Sequence, residues 1–224
     1  MGNYYTHKLS AEKLKRCYDL APERVQQYLR AEINFVCESI KESQTVLELG
    51  CGYGRVFPEL LKRTIFVTGI DNSFSSLQYG KKLFSTNSNV KFFQMNASKT
   101  GFSDNAFDVV LCIQNGISAF KVDRKKLIAE AVRITRPGGK IFFSTYSEKF
   151  WDHRLEWFKI QSAHDLIGEI DYNQTGDGVI VCKDGFKAVT ISAGEFDDLS
   201  TSLNLKSDIT EVDRSSLFWI IYVD

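Results

Sequence analysis

Charge of one sign is what this chain most plainly lacks. Lys plus Arg and Asp plus Glu both number 28 in 224 residues. Nothing neutralises a polyanion in bulk, which argues against a nucleic-acid partner. Histidine is scarce: His7, His153 and His164 lack His-x-x-x-His spacing, which argues against a sequence-local metal site. The five cysteines, at 17, 37, 51, 112 and 182, include no Cys-x-x-Cys pair. Structural zinc and a disulfide framework are therefore not expected, and the reading is a reducing compartment, the cytoplasm. No apolar stretch reaches the roughly 18 residues of a membrane span. The charge-free run Val109 to Phe120 contains Gln114 and Asn115. The N-terminus has no basic-then-apolar leader pattern. Met1-Gly2-Asn3-Tyr4-Tyr5-Thr6 fits a loose myristoylation pattern, short enough to arise by chance. No repeat or low-complexity segment is present.

Apolar residues make up 43% and charged residues 25%, the balance of a globular chain with a sizeable core. The length suits one elaborated domain. Pro22 opens a helical pattern in which Val25, Leu29, Ile33, Val36 and Ile40 share a face. Then come short strand-like runs: Thr45 to Leu49, Ile65 to Ile70, Val90 to Met95, Phe107 to Ile113 and Lys140 to Tyr146. Helical stretches lie between them, one after Val56, one capped by Ser73 and one capped by Asp123 and stopped by Pro137-Gly138-Gly139. Continuous apolar strands alternating with amphipathic helices predict a parallel sheet covered on both faces, with ligands at the strands' C-terminal edge. Farther on, Trp151 to Ile170 reads as a helix, Val179 to Ile191 as a hairpin turning at Lys183-Asp184-Gly185, Glu195 to Leu203 as a helix, and two closing strands follow.

The informative stretch is Glu48-Leu49-Gly50-Cys51-Gly52-Tyr53-Gly54, between a strand and a helix. Asp71 ends the next strand, where a carboxylate can accept hydrogen bonds from both hydroxyls of a ribose. A dinucleotide site wants Gly or Ala at the last position of the glycine pattern. Arg55 stands there, and a carboxylate at Glu48 would repel a pyrophosphate but favour an ammonium or sulfonium.

Residues 46–55, Val-Leu-Glu-Leu-Gly-Cys-Gly-Tyr-Gly-Arg, resemble the signature of class I S-adenosylmethionine-dependent methyltransferases. Gly69-Ile70-Asp71, Phe107-Asp108-Val109-Val110 and Arg136-Pro137-Gly138-Gly139-Lys140 extend the resemblance in order, over about residues 40–147. It implies a Rossmann-like, doubly wound α/β fold: a mostly parallel seven-stranded sheet with N-terminal helices and a β-hairpin insertion after the fifth strand. One domain is expected, with an N-terminal helical lid (1–42), a cofactor-binding core (43–147) and a lid insertion with closing strands (148–224). The cofactor implied is S-adenosylmethionine. Gly50, Gly52 and Gly54 would line its methionyl part, with Cys51 between them; Glu48 would orient its ammonium. Asp71, with Asn72 beside it, would hold the ribose. Asn96 and Ala97 would meet the adenine, and Ile113 and Gln114 would lie near the reacting methyl. The family often has an acid where Asn96 stands.

Methyl transfer from a sulfonium is an in-line displacement that needs alignment above all, so no invariant catalytic residue is expected. After the fourth strand the chain has Gln114-Asn115-Gly116-Ile117 in place of a Pro-Pro-aromatic or Pro-Cys motif. With zero net charge, this favours a small-molecule acceptor attacked at O, N or S. Tyr5, Asn115 and Tyr146 are candidate acceptor contacts. Further lid aromatics (Tyr4, Tyr18, Trp151, Trp157, Tyr172) would cage a cationic amine or stack on a ring, and His153 is a candidate base. A protein or RNA acceptor, an NAD-linked oxidoreductase and a non-catalytic adenosyl-binding module remain as alternatives, and a homodimer is compatible with all of them.

Overall fold

The computed structural model describes residues 4–224; Gly2 and the start of the myristoylation pattern lie outside them. Two short helices, α1 (Tyr4–His7) and α2 (Ala11–Asp19), precede α3 (Glu23–Glu38). The core then runs β1 (Thr45–Leu49), α4 (Phe57–Leu60), β2 (Phe66–Asp71), α5 (Phe74–Leu83), β3 (Val90–Gln94), β4 (Phe107–Cys112), α6 (Gly116–Ala119), α7 (Arg124–Ile134) and β5 (Thr135–Tyr146). Beyond a 3-10 turn lie α8 (Trp151–Ala163), β6 (Ile180–Val181), β7 (Lys187–Ala188), α9 (Ala193–Leu203), β8 (Lys206–Val212) and β9 (Ser216–Tyr222).

Seven strands form one sheet in the order β3-β2-β1-β4-β5-β9-β8. The first five are parallel; β9 joins β5 antiparallel and β8 joins β9 antiparallel. Strand order reverses between β1 and β4, which opens a crevice at their C-terminal ends. Side chains alternate between two cores. Val46, Val109, Phe142 and Phe218 face Val36 and Leu60 on one side of the sheet. Leu47, Val110, Ile141 and Trp219 face Leu127, Ile128 and Phe196 on the other. Burial on both faces is why these strands read as unbroken apolar runs. A third cluster joins the N-terminal segment to the insertion: Leu9, Cys17, Val25 and Tyr28 pack with Phe150, Trp157, Phe158 and Phe186.

The predicted caps form: Ser73 accepts from the Ser76 N–H and Asp123 from the Lys126 N–H. Four details differ from the sequence reading. The helix after Val56 is a single turn, with Pro58 near its start. Pro137-Gly138-Gly139 belongs to β5, which begins at Thr135 and shifts register against Phe107/Val109. Gly139 is required there, since a Cβ would stand 2.7 Å from the Asp108 carbonyl. Helix α8 stops at Ala163. The hairpin pairs only two residues per strand, Ile180 with Ala188 and Val181 with Lys187.

Candidate functional site

Leu49 pairs with Ile70 in the parallel ladder, so the chain leaves β1 level with the end of β2. The Gly50 and Cys51 N–H groups both donate to the Ile70 carbonyl, at 2.8 and 3.0 Å. Asp71 then bolts the turn in place. Its Oδ2 accepts from the Gly52 N–H at 2.9 Å and its Oδ1 from the Ser73 N–H at 2.7 Å. Each oxygen keeps further acceptor capacity. Burial pushes the Asp71 carboxyl up, and those backbone N–H groups hold it down.

The glycines separate into two roles. Gly50 and Gly52 line a deep cleft at the sheet's switch point, whereas Gly54 turns away from it. A Cβ at Gly54 would meet Phe57 and Phe92 at 2.9 Å, and its φ is +80°. Gly54→Ala is expected to destabilise the fold by about 1–3 kcal/mol through strain and overpacking, read as a lower urea midpoint.

Glu48, Cys51, Asp71 and Asn72 line the same cleft. So do Asn96 and Ala97 after β3, and Ile113, Gln114 and Asn115 after β4. The Asn96 side-chain oxygen accepts from the Ser98 N–H and hydroxyl, which fixes the amide. Asn115 is held at both ends: its amide donates to the Val189 carbonyl at 2.8 Å and accepts from the Thr145 hydroxyl at 2.9 Å. It therefore ties the insertion to the sheet.

Glu48 is buried, and its Oε2 has no hydrogen-bond partner. Burial pushes its carboxyl up to about 7; the Arg55 guanidinium pulls it down, while Asp71 and Glu32 push it further up. A buried carboxylate oxygen without a partner is costly. A cationic ligand group in the cleft would relieve that cost, and a pyrophosphate would add to it.

Arg55 is a cleft residue that the sequence reading treated only as a bulky misfit. Its guanidinium lies 4.7 Å from the Tyr18 ring and donates to Gln114 Oε1 at 3.0 Å. The Tyr18 hydroxyl donates to the same oxygen at 2.8 Å. Helix α2, the glycine turn and the end of β4 are thereby latched over the cleft. The only sequence signal was a charged side chain where a dinucleotide fold needs a small one.

The part of the cleft under α2 and α8 is aromatic. Tyr5, Tyr18, Tyr146, Trp157 and Phe158 line it. The Trp157 indole N–H donates to the Cys17 carbonyl at 2.9 Å, joining α8 to α2. Other lid candidates lie elsewhere: Tyr4 binds Asp184, His153 packs on Phe150, and Tyr172 is exposed. Two of the lid aromatics, Tyr146 and Trp151, pack on a cation of this chain. The Arg154 guanidinium carbon stands 4.5 Å from the Tyr146 ring, 5.6 Å from Phe158 and 5.8 Å from Trp151.

The glycine turn, the bolted aspartate and the partnerless glutamate meet at the sheet's switch point. Residues 46–139 match the methyltransferase domain family. The chain is 26% identical over 167 residues to a ubiquinone biosynthesis O-methyltransferase of Coxiella burnetii, covering 73% of this chain and 68% of that one. It is 29% identical over 143 residues to a ubiquinone/menaquinone biosynthesis C-methyltransferase of Klebsiella pneumoniae, 60% of this chain and 56% of that one. The fold is similar to that of a solved S-adenosylmethionine-dependent methyltransferase from Methanosarcina mazei. That likeness has a TM-score of 0.62 at 20% identity and covers 85% and 98% of the two chains. Residues 46–139 thus carry a methyltransferase domain, and the fold around it is the Rossmann-like one of S-adenosylmethionine-dependent methyltransferases. The chain is an enzyme of that class, with S-adenosylmethionine as its cofactor.

Proposed function

We propose that this enzyme methylates a small, flat, ring-bearing molecule at a hydroxyl oxygen. The observation that carries the reading is the aromatic chamber continuous with the glycine turn, roofed by α2 and α8. Similarity to an O-methyltransferase of quinone biosynthesis supports oxygen as the attacked atom. A chamber walled by Tyr5, Tyr146, Trp157 and Phe158 suits stacking on a ring better than the entry of an RNA or a protein loop.

S-adenosylmethionine supplies a methyl group already activated by the positive sulfonium. The chain's own residues bind, orient and exclude water. Glu48 holds the ammonium and Asp71, beside Asn72, the ribose. Gly50, Cys51 and Gly52 lie along the methionyl part, and Asn96 and Ala97 meet the adenine. Ile113 and Gln114 border the methyl, and the Arg55–Gln114–Tyr18 latch keeps that end closed. In this reading residues 1–42 form the lid, 43–147 the cofactor core, and 148–224 the insertion and closing strands. No helix among the described residues is long and apolar enough to cross a membrane. We place the enzyme in the cytoplasm, where its five free, buried thiols stay reduced.

The test is transfer from methyl-labelled S-adenosylmethionine in a cell extract separated into small molecules, RNA and protein. Label is expected in the small-molecule fraction, on an alkali-stable ether. Label in RNA or protein would reject the acceptor class, and label on carbon would reject the attacked atom.

A further inference from the structure

Helix α8 buries Arg154, Trp157, Phe158 and Gln161, whose helical spacing puts them on one face. Trp157, Phe158 and Gln161 line the cleft; Arg154 does not. Gln161 is 3% exposed, yet its side-chain amide makes no hydrogen bond to any described residue. Other amides of the cleft are spent inside the protein. Gln114 Oε1 accepts from Arg55 and Tyr18, and Asn115 bonds at both ends. On α8 itself the Trp157 indole N–H is taken by the Cys17 carbonyl. The partnerless nitrogens of Arg154 are sealed from any probe, whereas Oε1 and Nε2 of Gln161 are not. The open space that those two atoms reach is the cleft, beside Trp157 and Phe158. A structural glutamine would spend its amide on protein partners, because a buried polar group without one is costly.

We propose that Gln161 is the specificity-determining residue for the methyl acceptor, and that the acceptor's ring carries a lactam edge, an N–H beside a carbonyl. This rests on the small-molecule methyltransferase reading and narrows its substrate class. The lactam N–H donates to Oε1, and Nε2 donates to the lactam carbonyl. One planar pair thus satisfies both ends of the glutamine amide. A carboxylate has no donor for Oε1, and an ammonium has no acceptor for Nε2. Trp157 and Phe158, one helical turn back, supply aromatic surface for the ring.

The experiment is ligand-observed NMR titration with 2-pyridone, N-methyl-2-pyridone and benzoate, on protein with and without saturating S-adenosylhomocysteine. 2-Pyridone is expected to bind at least about fivefold more tightly than its N-methyl derivative, the effect of one neutral hydrogen bond. Gln161→Met, which keeps the length of the side chain without the amide, should erase that preference. Its urea midpoint should be no lower than that of the wild type, because no protein partner is lost. Gln161→Leu gives the same two readings if the methionine variant does not fold. Equal binding of the two pyridones, no measurable binding of either, or a preference that survives Gln161→Met overturns the proposal. A lower urea midpoint in both variants also overturns it, since the amide would then be spent inside the fold. Benzoate binding as tightly as 2-pyridone overturns the choice of a lactam in favour of an anion. Failure of the methyltransferase reading is a separate result: the wild type would then not bind S-adenosylhomocysteine, whatever its preference between the pyridones.

Discussion

Glu48→Gln is expected to yield a protein that is more stable at pH 8 and a poorer binder of S-adenosylhomocysteine. The Glu48 carboxyl rises from its ordinary 4.5 to about 7, with burial as the main cause. Between those values the folded state keeps a proton that the unfolded chain releases. Stability therefore falls as pH rises through this window and stays lower above it. The rise corresponds to a penalty of up to about 3 kcal/mol. Glutamine carries no charge at any pH and removes it. The variant's thermal midpoint should exceed that of the wild type at pH 8 and converge with it near pH 4.5. Binding runs the other way. Losing a charge-assisted contact to the ammonium should weaken affinity by roughly 10- to 150-fold. In the wild type at pH 6, ligand binding should release a proton, seen as a buffer-dependent calorimetric heat that fades by pH 8. Wild-type affinity in the variant, or no proton release at pH 6, would remove Glu48 from the ammonium site.

Asp71→Ala should lose affinity by a similar factor, but with a stability cost where Glu48→Gln has a gain. Ribose hydroxyls would lose their acceptor, a charge-assisted contribution of about 1.5–3 kcal/mol. The Gly52 and Ser73 N–H groups would also lose theirs. Each buried donor left without a partner costs about 1–3 kcal/mol, so the glycine turn itself should loosen. Asp71→Asn offers one oxygen where two N–H groups need acceptors, and should recover only part of either loss. Affinity is read by calorimetry and stability by urea unfolding. Full affinity in Asp71→Ala would mean that the ribose is held elsewhere.

The two carboxylates were legible in the sequence for different reasons. Asp71 ends a strand whose parallel pairing with β1 is dictated by apolar patterning, so the glycine turn and the aspartate meet by register. Glu48 stood out as a charge inside an apolar run. At Gly54 the motif reports that a small residue is needed, and not what needs it; the structure sets the rings of Phe57 and Phe92 against that position. The helices of the first 20 residues follow only from the family resemblance, because their apolar side chains pack on a distant insertion, as Cys17 does beside Trp157.

Alternating apolar strands and amphipathic helices, the glycine turn and the charge at position 48 were determined by the sequence alone. Each rests on neighbours within a few residues or on the fixed periods of strand and helix. Only the tertiary structure decided which side chains meet around the cleft. Gln114 meets Arg55 across 59 residues and Tyr18 across 96. Arg154 is enclosed by Tyr146, Trp151 and Phe158, and its Nε and Nη2 are buried without a hydrogen-bond partner. Which side chains share that space, and which of their hydrogen-bonding atoms stay unsatisfied, depends on how α2 and α8 close over the sheet, and no local pattern carries that information.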